Sequence, residues 1–193
     1  MQGKKNEREI KMIGKKIQDA LNEQIKHKLE SYYLYLSMAA YFYAIELDGM
    51  AHWMKIQAGE VQGHAMRFFD HLKERNGRIE LPALSQPKDE WASPLEVFQE
   101  AYQHEQFITG KINNLVKLSI IENDNLTAAL LQWFVTEQVV AEASVSQIAH
   151  TIKKLDSCGP GLEMLDQALG ARNKQNIYSI NFPRAVPGLF RVK

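Results

Sequence analysis

At 193 residues and 22.1 kDa the chain has room for one substantial domain with its own core. Lysine plus arginine and aspartate plus glutamate each number 23, so the formal net charge is zero, which excludes the basic excess of a generic nucleic-acid binder. With 45% apolar and 24% charged residues the composition is globular; the single cysteine, Cys158, excludes a disulfide framework or a zinc-finger scaffold, and no apolar run reaches the ~20 residues of a membrane span.

The first 16 residues are mostly polar, with six Lys/Arg against two Glu, and read as a solvated arm (1–16). Charges stand there where a signal peptide needs an apolar stretch, so a soluble, cytoplasmic protein is expected. Four segments follow with apolar spacing of alternating threes and fours, the helical period held for several turns. The first runs through Leu21, Ile25, Lys28, Tyr32, Tyr35 and Ala39, and the second through Gln57, Val61, His64, Phe68 and His71. The third runs through Phe98, Ala101, Glu105, Ile108, Ile112, Leu115 and Ser119, and the fourth through Leu131, Phe134, Gln138, Ala141, Val145, Ile148, Ile152 and Leu155.

Punctuation fits this count. Asp48-Gly49 is expected to break the first helix from the second, and Asn76-Gly77 to end the second. Ser93-Pro94 with Glu96 is a helix start, serine as N-cap and proline at the first helical position. Asn123-Asp124-Asn125 separates the third helix from the fourth, and Cys158-Gly159-Pro160-Gly161 stops the fourth. Only the stretch from Gly77 to Ser93 is long. An all-α, four-helix bundle with a long crossover between helices 2 and 3 is therefore predicted over 17–157. A short fifth helix near Leu162–Leu169 falls in 158–172, and a Pro-containing tail covers 173–193.

Each seam is interrupted by a polar residue: Lys28, His64, Glu105 and Gln138. One per helix points to a polar layer, because burying such groups unpartnered costs several kcal/mol each. Two arrangements satisfy it. Bundle cores can hold paired metals on carboxylates and histidines from facing helices. Alternatively the Lys28 ammonium faces the Glu105 carboxylate, with His64 and Gln138 supplying hydrogen bonds.

The segments Leu21-Asn22-Glu23-Gln24, Ser31-Tyr32-Tyr33-Leu34-Tyr35-Leu36-Ser37-Met38, Gly49-Met50-Ala51-His52-Trp53-Met54, Asn76-Gly77-Arg78-Ile79-Glu80-Leu81, His104-Glu105-Gln106 and Leu131-Gln132-Trp133-Phe134-Val135-Thr136-Glu137-Gln138 resemble the bacterial and archaeal non-haem ferritins, in the same order and spacing. The resemblance spans residues 17 to 172. It implies a ferritin-like four-helix bundle that self-assembles into a homo-oligomeric, 24-subunit cage storing iron as ferric mineral.

The family's dinuclear ferroxidase centre draws on a first-helix Glu, a second-helix Glu-x-x-His, a third-helix Glu and a fourth-helix Gln-x-x-Glu. His64, Glu105 and Gln138 occupy three of those positions; Lys28, Val61 and Ala141 stand where the other carboxylates are expected. About four negative charges thus fall to one, facing an ammonium, whereas two Fe(II) need the anionic oxygen. Glu30 lies about 200° around the helix from Lys28 and should face elsewhere. Tyr35 and Trp133 match aromatics beside the centre, though both also read as ordinary core residues. Glu60 and Glu137 match carboxylates of a third, weaker iron site, whose fourth-helix partners fall on Val140 and Ala141. Haem is not expected, since Gln62-Gly63 stand where haem-binding relatives place a methionine. The glycines of the second helix, Gly59 and Gly63, point either to close helix approach or to drift after loss of catalysis.

The expected function is a cage subunit for iron storage or homeostasis without its own ferroxidase activity, co-assembling with a catalytic sister subunit. Two rivals are kept: an active ferroxidase on a reduced metal site of His64, Glu105, Glu60 and Gln138, and an iron-independent cage or interaction protein using its tail; a single iron held by Glu60, Glu137 and His64 is a further option.

Overall fold

The computed structural model describes residues 12–155 and 159–172. Five helices account for most of them: α1 (Lys15–Ala44), α2 (Asp48–Glu74), α3 (Pro94–Ile121), α4 (Asn125–Leu155) and α5 (Gly159–Gly170). α1 packs on α2, α3 on α4 and α1 on α3, which gives the expected four-helix bundle; α5 lies on α2. Among these helices none is long and apolar enough to cross a membrane. Cys158 and the tail lie outside the described residues, as does all but the end of the N-terminal arm.

Three helices end the same way. α2 closes with Asn76 in the left-handed region (φ 53°), Gly77 N–H reaching Leu72 O at 2.8 Å and Asn76 N–H reaching Lys73 O at 3.1 Å. α3 repeats the motif at Asn123 (φ 53°), with Asp124 N–H on Ser119 O at 2.8 Å. These bonds satisfy terminal carbonyls that the helix cannot. α1 uses Glu46 (φ 61°), with Leu47 N–H on Phe42 O at 3.0 Å. The break therefore precedes Asp48-Gly49, and both of those residues belong to the first turn of α2. Glutamate gave no signal because it is a rare choice for a left-handed cap.

α3 starts as expected, with the Ser93 side chain accepting from Glu96 N–H at 3.2 Å and proline in the first turn. Asp124 caps α4 by accepting from Thr127 N–H at 3.1 Å and is paired with the buried Arg75 at 2.8 Å. The crossover is clipped to α1 by side chains: Asn22 donates to Arg78 O and accepts from Glu80 N–H, both at 2.9 Å, Gln18 Oε1 accepts from Arg78 N–H at 2.8 Å, and Ser37 Oγ donates to Lys88 O at 2.7 Å.

Every predicted seam residue of α3 is buried. On α1, Ser31 is buried where Tyr32 was expected, and Tyr32 is only partly covered; the stripe shifts by one position so that Ser31 can meet His104 at 2.7 Å. α5 is longer than the predicted 162–169, because Gly159, Pro160 and Gly161 open it. A Cβ placed on Gly63 would meet nothing within 4 Å, so no helix approach within this chain requires that glycine.

Gly49 is different. The Asp166 carboxylate of α5 accepts from Gly49 N–H at 3.0 Å and Met50 N–H at 2.7 Å, capping α2 from another helix at its positive end. A Cβ on Gly49 would stand 1.8 Å from the backbone oxygen of Asp166. Gly49→Ala is therefore expected to push α5 off α2 and to cost about 1–3 kcal/mol, read as a lower thermal midpoint and faster tryptic cleavage around α5.

Candidate functional site

Two apolar clusters divide the bundle. One gathers Tyr35, Met38, Phe42, Trp53, Phe98 and Val145, the other Ile17, Leu21, Ile25, Phe68, Ile108 and Phe134. Between them along the helices lie Lys28, Glu105 and Gln138, only 1%, 2% and 3% exposed. The predicted polar layer exists, and these three side chains are almost fully withdrawn from the surface.

Its hydrogen bonds run in a line. Lys28 Nζ donates to Gln138 Oε1 at 3.0 Å, and Gln138 Nε2 donates to Glu105 Oε2 at 3.0 Å. Tyr35 Oη donates to Glu105 Oε1 at 2.6 Å. The ammonium thus reaches the carboxylate through the Gln138 amide rather than directly, which corrects the expected Lys28–Glu105 contact. An amide suits this place because it offers an acceptor to a cation and a donor to an anion. Burial pulls the Lys28 ammonium below its ordinary value, opposed by the charges of Glu105 and Glu137. Burial first, then the Glu105 charge and hydrogen bond, push the Tyr35 phenol well above its usual range. Tyr35 is therefore a neutral donor and a working member of the layer, not only a core aromatic.

His64 does not supply the hydrogen bond expected of it. Its Nδ1 is buried without a partner, and its ring stands edge-on to Trp133 and Phe134, with centroids 5.1 and 5.8 Å away. Burial, then the charges of Lys28 and Arg67, lower its pKa from 6.5 to about 3, so the ring is neutral. Trp133 is an aromatic spacer here, half-buried and covered by the Arg67 guanidinium 3.7 Å above its ring. Glu30 turns away from the layer, towards His27 and Ser85.

Beside the line, a cavity of about 30 Å³ is bounded by Lys28, Glu60, Val61, His64, Ala141 and Arg172, among others. That volume holds about one water molecule. Glu60 is half-buried, hydrogen-bonded by Gln57 Nε2 at 3.0 Å and paired with Arg172 at 3.2 Å. Burial raises its pKa, Arg172 counters this, and Glu137 raises it further. Two cations and three carboxylates (Glu60, Glu105 and Glu137) thus line the same small space.

This donor set does not fit a pair of hard metal ions. Val61 and Ala141 offer no oxygen, Glu105 is taken by Tyr35 and Gln138, and Glu60 by Arg172. Among the described residues no three His, Cys, Asp or Glu side chains converge on a common metal position. Arg172 is the residue that sequence reasoning missed. It lies 112 positions from Glu60, just past α5, where no periodic pattern extends.

Residues 18–155 match the family model described as Ferritin, a ferritin-like domain. The chain is 37% identical over 161 residues to a bacterial non-heme ferritin of Bacteroides fragilis, covering 83% of this chain and 100% of that one. It is 38% identical over 156 residues to a bacterial non-heme ferritin of Campylobacter jejuni, covering 81% and 93%. Among solved structures, an open pore ferritin from the hyperthermophilic archaeon Archaeoglobus fulgidus superimposes with a TM-score of 0.82 at 42% identity, covering 83% of this chain and 99% of that one.

Two predictions come from the layer. Lys28→Met strands a buried carboxylate and should cost about 3–5 kcal/mol, with Glu105→Gln on top recovering part of the loss, as read by denaturant titration. For His64 the folded pKa lies below the ordinary 6.5, so its contribution is intact above that pH and is lost as pH falls from 6.5 towards about 3. His64→Phe, which keeps the aromatic contacts, should flatten the fall of stability with acid across that window.

Proposed function

The chain belongs to the ferritin-like family, and from that premise we propose that it is a cage-forming subunit for iron storage that lacks a dinuclear ferroxidase centre of its own. The observation that carries this is the Lys28–Gln138–Glu105 line: the Gln138 amide and the Tyr35 hydroxyl occupy the carboxylate that would otherwise face a metal pair, and the Lys28 ammonium stands behind the amide. Val61 and Ala141, which line the same space, offer it no ligand oxygen.

Iron is the cargo in this reading and is oxidised elsewhere, on the mineral surface or by a catalytic sister subunit in the same shell. The chain contributes wall and cavity surface. Self-assembly into a closed 24-subunit cage in the cytoplasm is part of the proposal, supported by overlap with ferritins along nearly their whole length. A closed shell built from one kind of chain needs only repeated copies of the same interfaces.

The test has two arms. Light scattering of the purified chain should give a mass of about 24 times 22.1 kDa. Stopped-flow mixing with Fe(II), two per subunit, in air should show oxidation no faster than protein-free buffer; a fast phase would overturn the reading. Lys28→Glu, Val61→Glu and Ala141→Glu introduced together should bring a fast phase into view.

A further inference from the structure

The misfit between this layer and a metal pair has a positive side: the chain supplies its own cations. Lys28 serves the Glu105 side, and a second cation arrives from outside the bundle. We propose that Arg172 is a tethered cation, delivered by α5, that occupies the Glu60 side of the cavity and keeps hard multivalent cations out of it. This rests on the reading of the layer as a non-catalytic remnant and adds to it the residue that controls access.

The delivery is built in three steps along α5. Asp166 fixes the middle of the helix by capping α2 through Gly49 and Met50 N–H. The end of α5 runs close against α2, where a Cβ on Gly170 would lie 3.1 Å from the Gly49 Cα. His52 Nε2 then donates to Arg172 O at 3.0 Å and holds that backbone in place. With its main chain pinned, the Arg172 side chain turns inward and is only 10% exposed. Nη1 donates to Gln57 Oε1 at 2.6 Å and Nη2 to Glu60 Oε1 at 3.2 Å, while the guanidinium lies 5.2 Å from the Trp53 ring centroid.

Gln57 and Glu60 are three residues apart on α2 and present their oxygens to one planar fork, an arrangement that suits arginine better than lysine. Such a pair is shielded from solvent and is not the weak contact of an exposed surface bridge. A multivalent cation entering the cavity would need the same carboxylate and would meet a fixed positive charge beside it. The two occupancies are mutually exclusive, so the affinity of the cavity for a free cation is set by the docking of α5.

Terbium(III) titration of the assembled protein tests this, because its emission is sensitised by a nearby tryptophan and Trp53 lies beneath the guanidinium. The wild-type chain should show weak sensitised emission. Arg172→Gln should bind terbium at this site at least tenfold more tightly, and Arg172→Gln with Glu60→Gln should return to the wild-type level. Arg172→Lys, which keeps the charge, should stay near wild type.

The proposal is overturned if Arg172→Gln binds no more tightly while its helix content and assembled mass are unchanged. It is equally overturned if the gain persists without the Glu60 carboxylate, or if the lysine variant gains as much as the glutamine variant. Mass and Fe(II) oxidation measured on the same samples report separately on the cage and on the missing ferroxidase centre, so failure of either is distinguishable from failure of the Arg172 assignment.

Discussion

The side-chain amide of Gln138 is the contact on which the core depends. A lysine and a glutamate, 1% and 2% exposed, are each satisfied through it, one by its oxygen and the other by its nitrogen. The flanking charges fix which way the amide points, since the reverse orientation would set N–H against ammonium and oxygen against carboxylate. Tyr35 then closes the far side of Glu105. Bonds to charged groups are the stronger ones, and in a buried layer each missing partner leaves an uncompensated charge. A neutral His64 fits the same logic: a second positive ring beside Lys28 would be repelled, and burial penalises it further.

The layer also explains how the long helices hold register. The bundle has an apolar cluster on each side of the line, and apolar packing alone tolerates sliding better than a hydrogen-bonded row does. Lys28 on α1, Glu105 on α3 and Gln138 on α4 must stay at one height for the line to close. α2 enters the same layer through Glu60 and Gln57, which close on Arg172 instead. Two separate charge pairings thus bring four helices and the end of α5 to one level, and at this level the architecture meets the candidate site.

Much of this was legible in the sequence because it is periodic. The seam of α3, the buried Lys28 and Gln138, and the Asn76 and Ser93 boundaries all follow from spacing and cap chemistry. What was not legible is long-range or depends on one atom. The Tyr35 hydroxyl found Glu105 on another helix, although the ring alone satisfied the apolar pattern. The seam of α1 passes through Ser31 because a small hydroxyl on that face can meet His104, a fact invisible until α3 is placed. Arg172 lies beyond the last periodic segment, and only the docking of α5 brings it back onto α2. Gly49 read as a breaker, yet its lack of a side chain serves the approach of α5.

The arrangement is also hard to reverse one residue at a time. Placing a carboxylate at 28 alone would set two buried anions on either side of Gln138, whose amide cannot donate to both with its oxygen turned towards one of them. Placing one at 61 or 141 alone would add a carboxylate to a cavity of about 30 Å³ whose cations are already engaged. Removing Arg172 alone would leave Glu60 half-buried, with Glu137 raising its pKa and Gln57 as its remaining hydrogen-bond donor. Each single step passes through an unpaired charge in a low-dielectric space, while Lys28, Glu105, Glu60 and Arg172 each have a hydrogen-bonded partner now. A metal pair and this set of internal cations are therefore alternative solutions to one electrostatic constraint: enough positive charge must face the carboxylates of the layer, whether it comes from solution or from the chain itself.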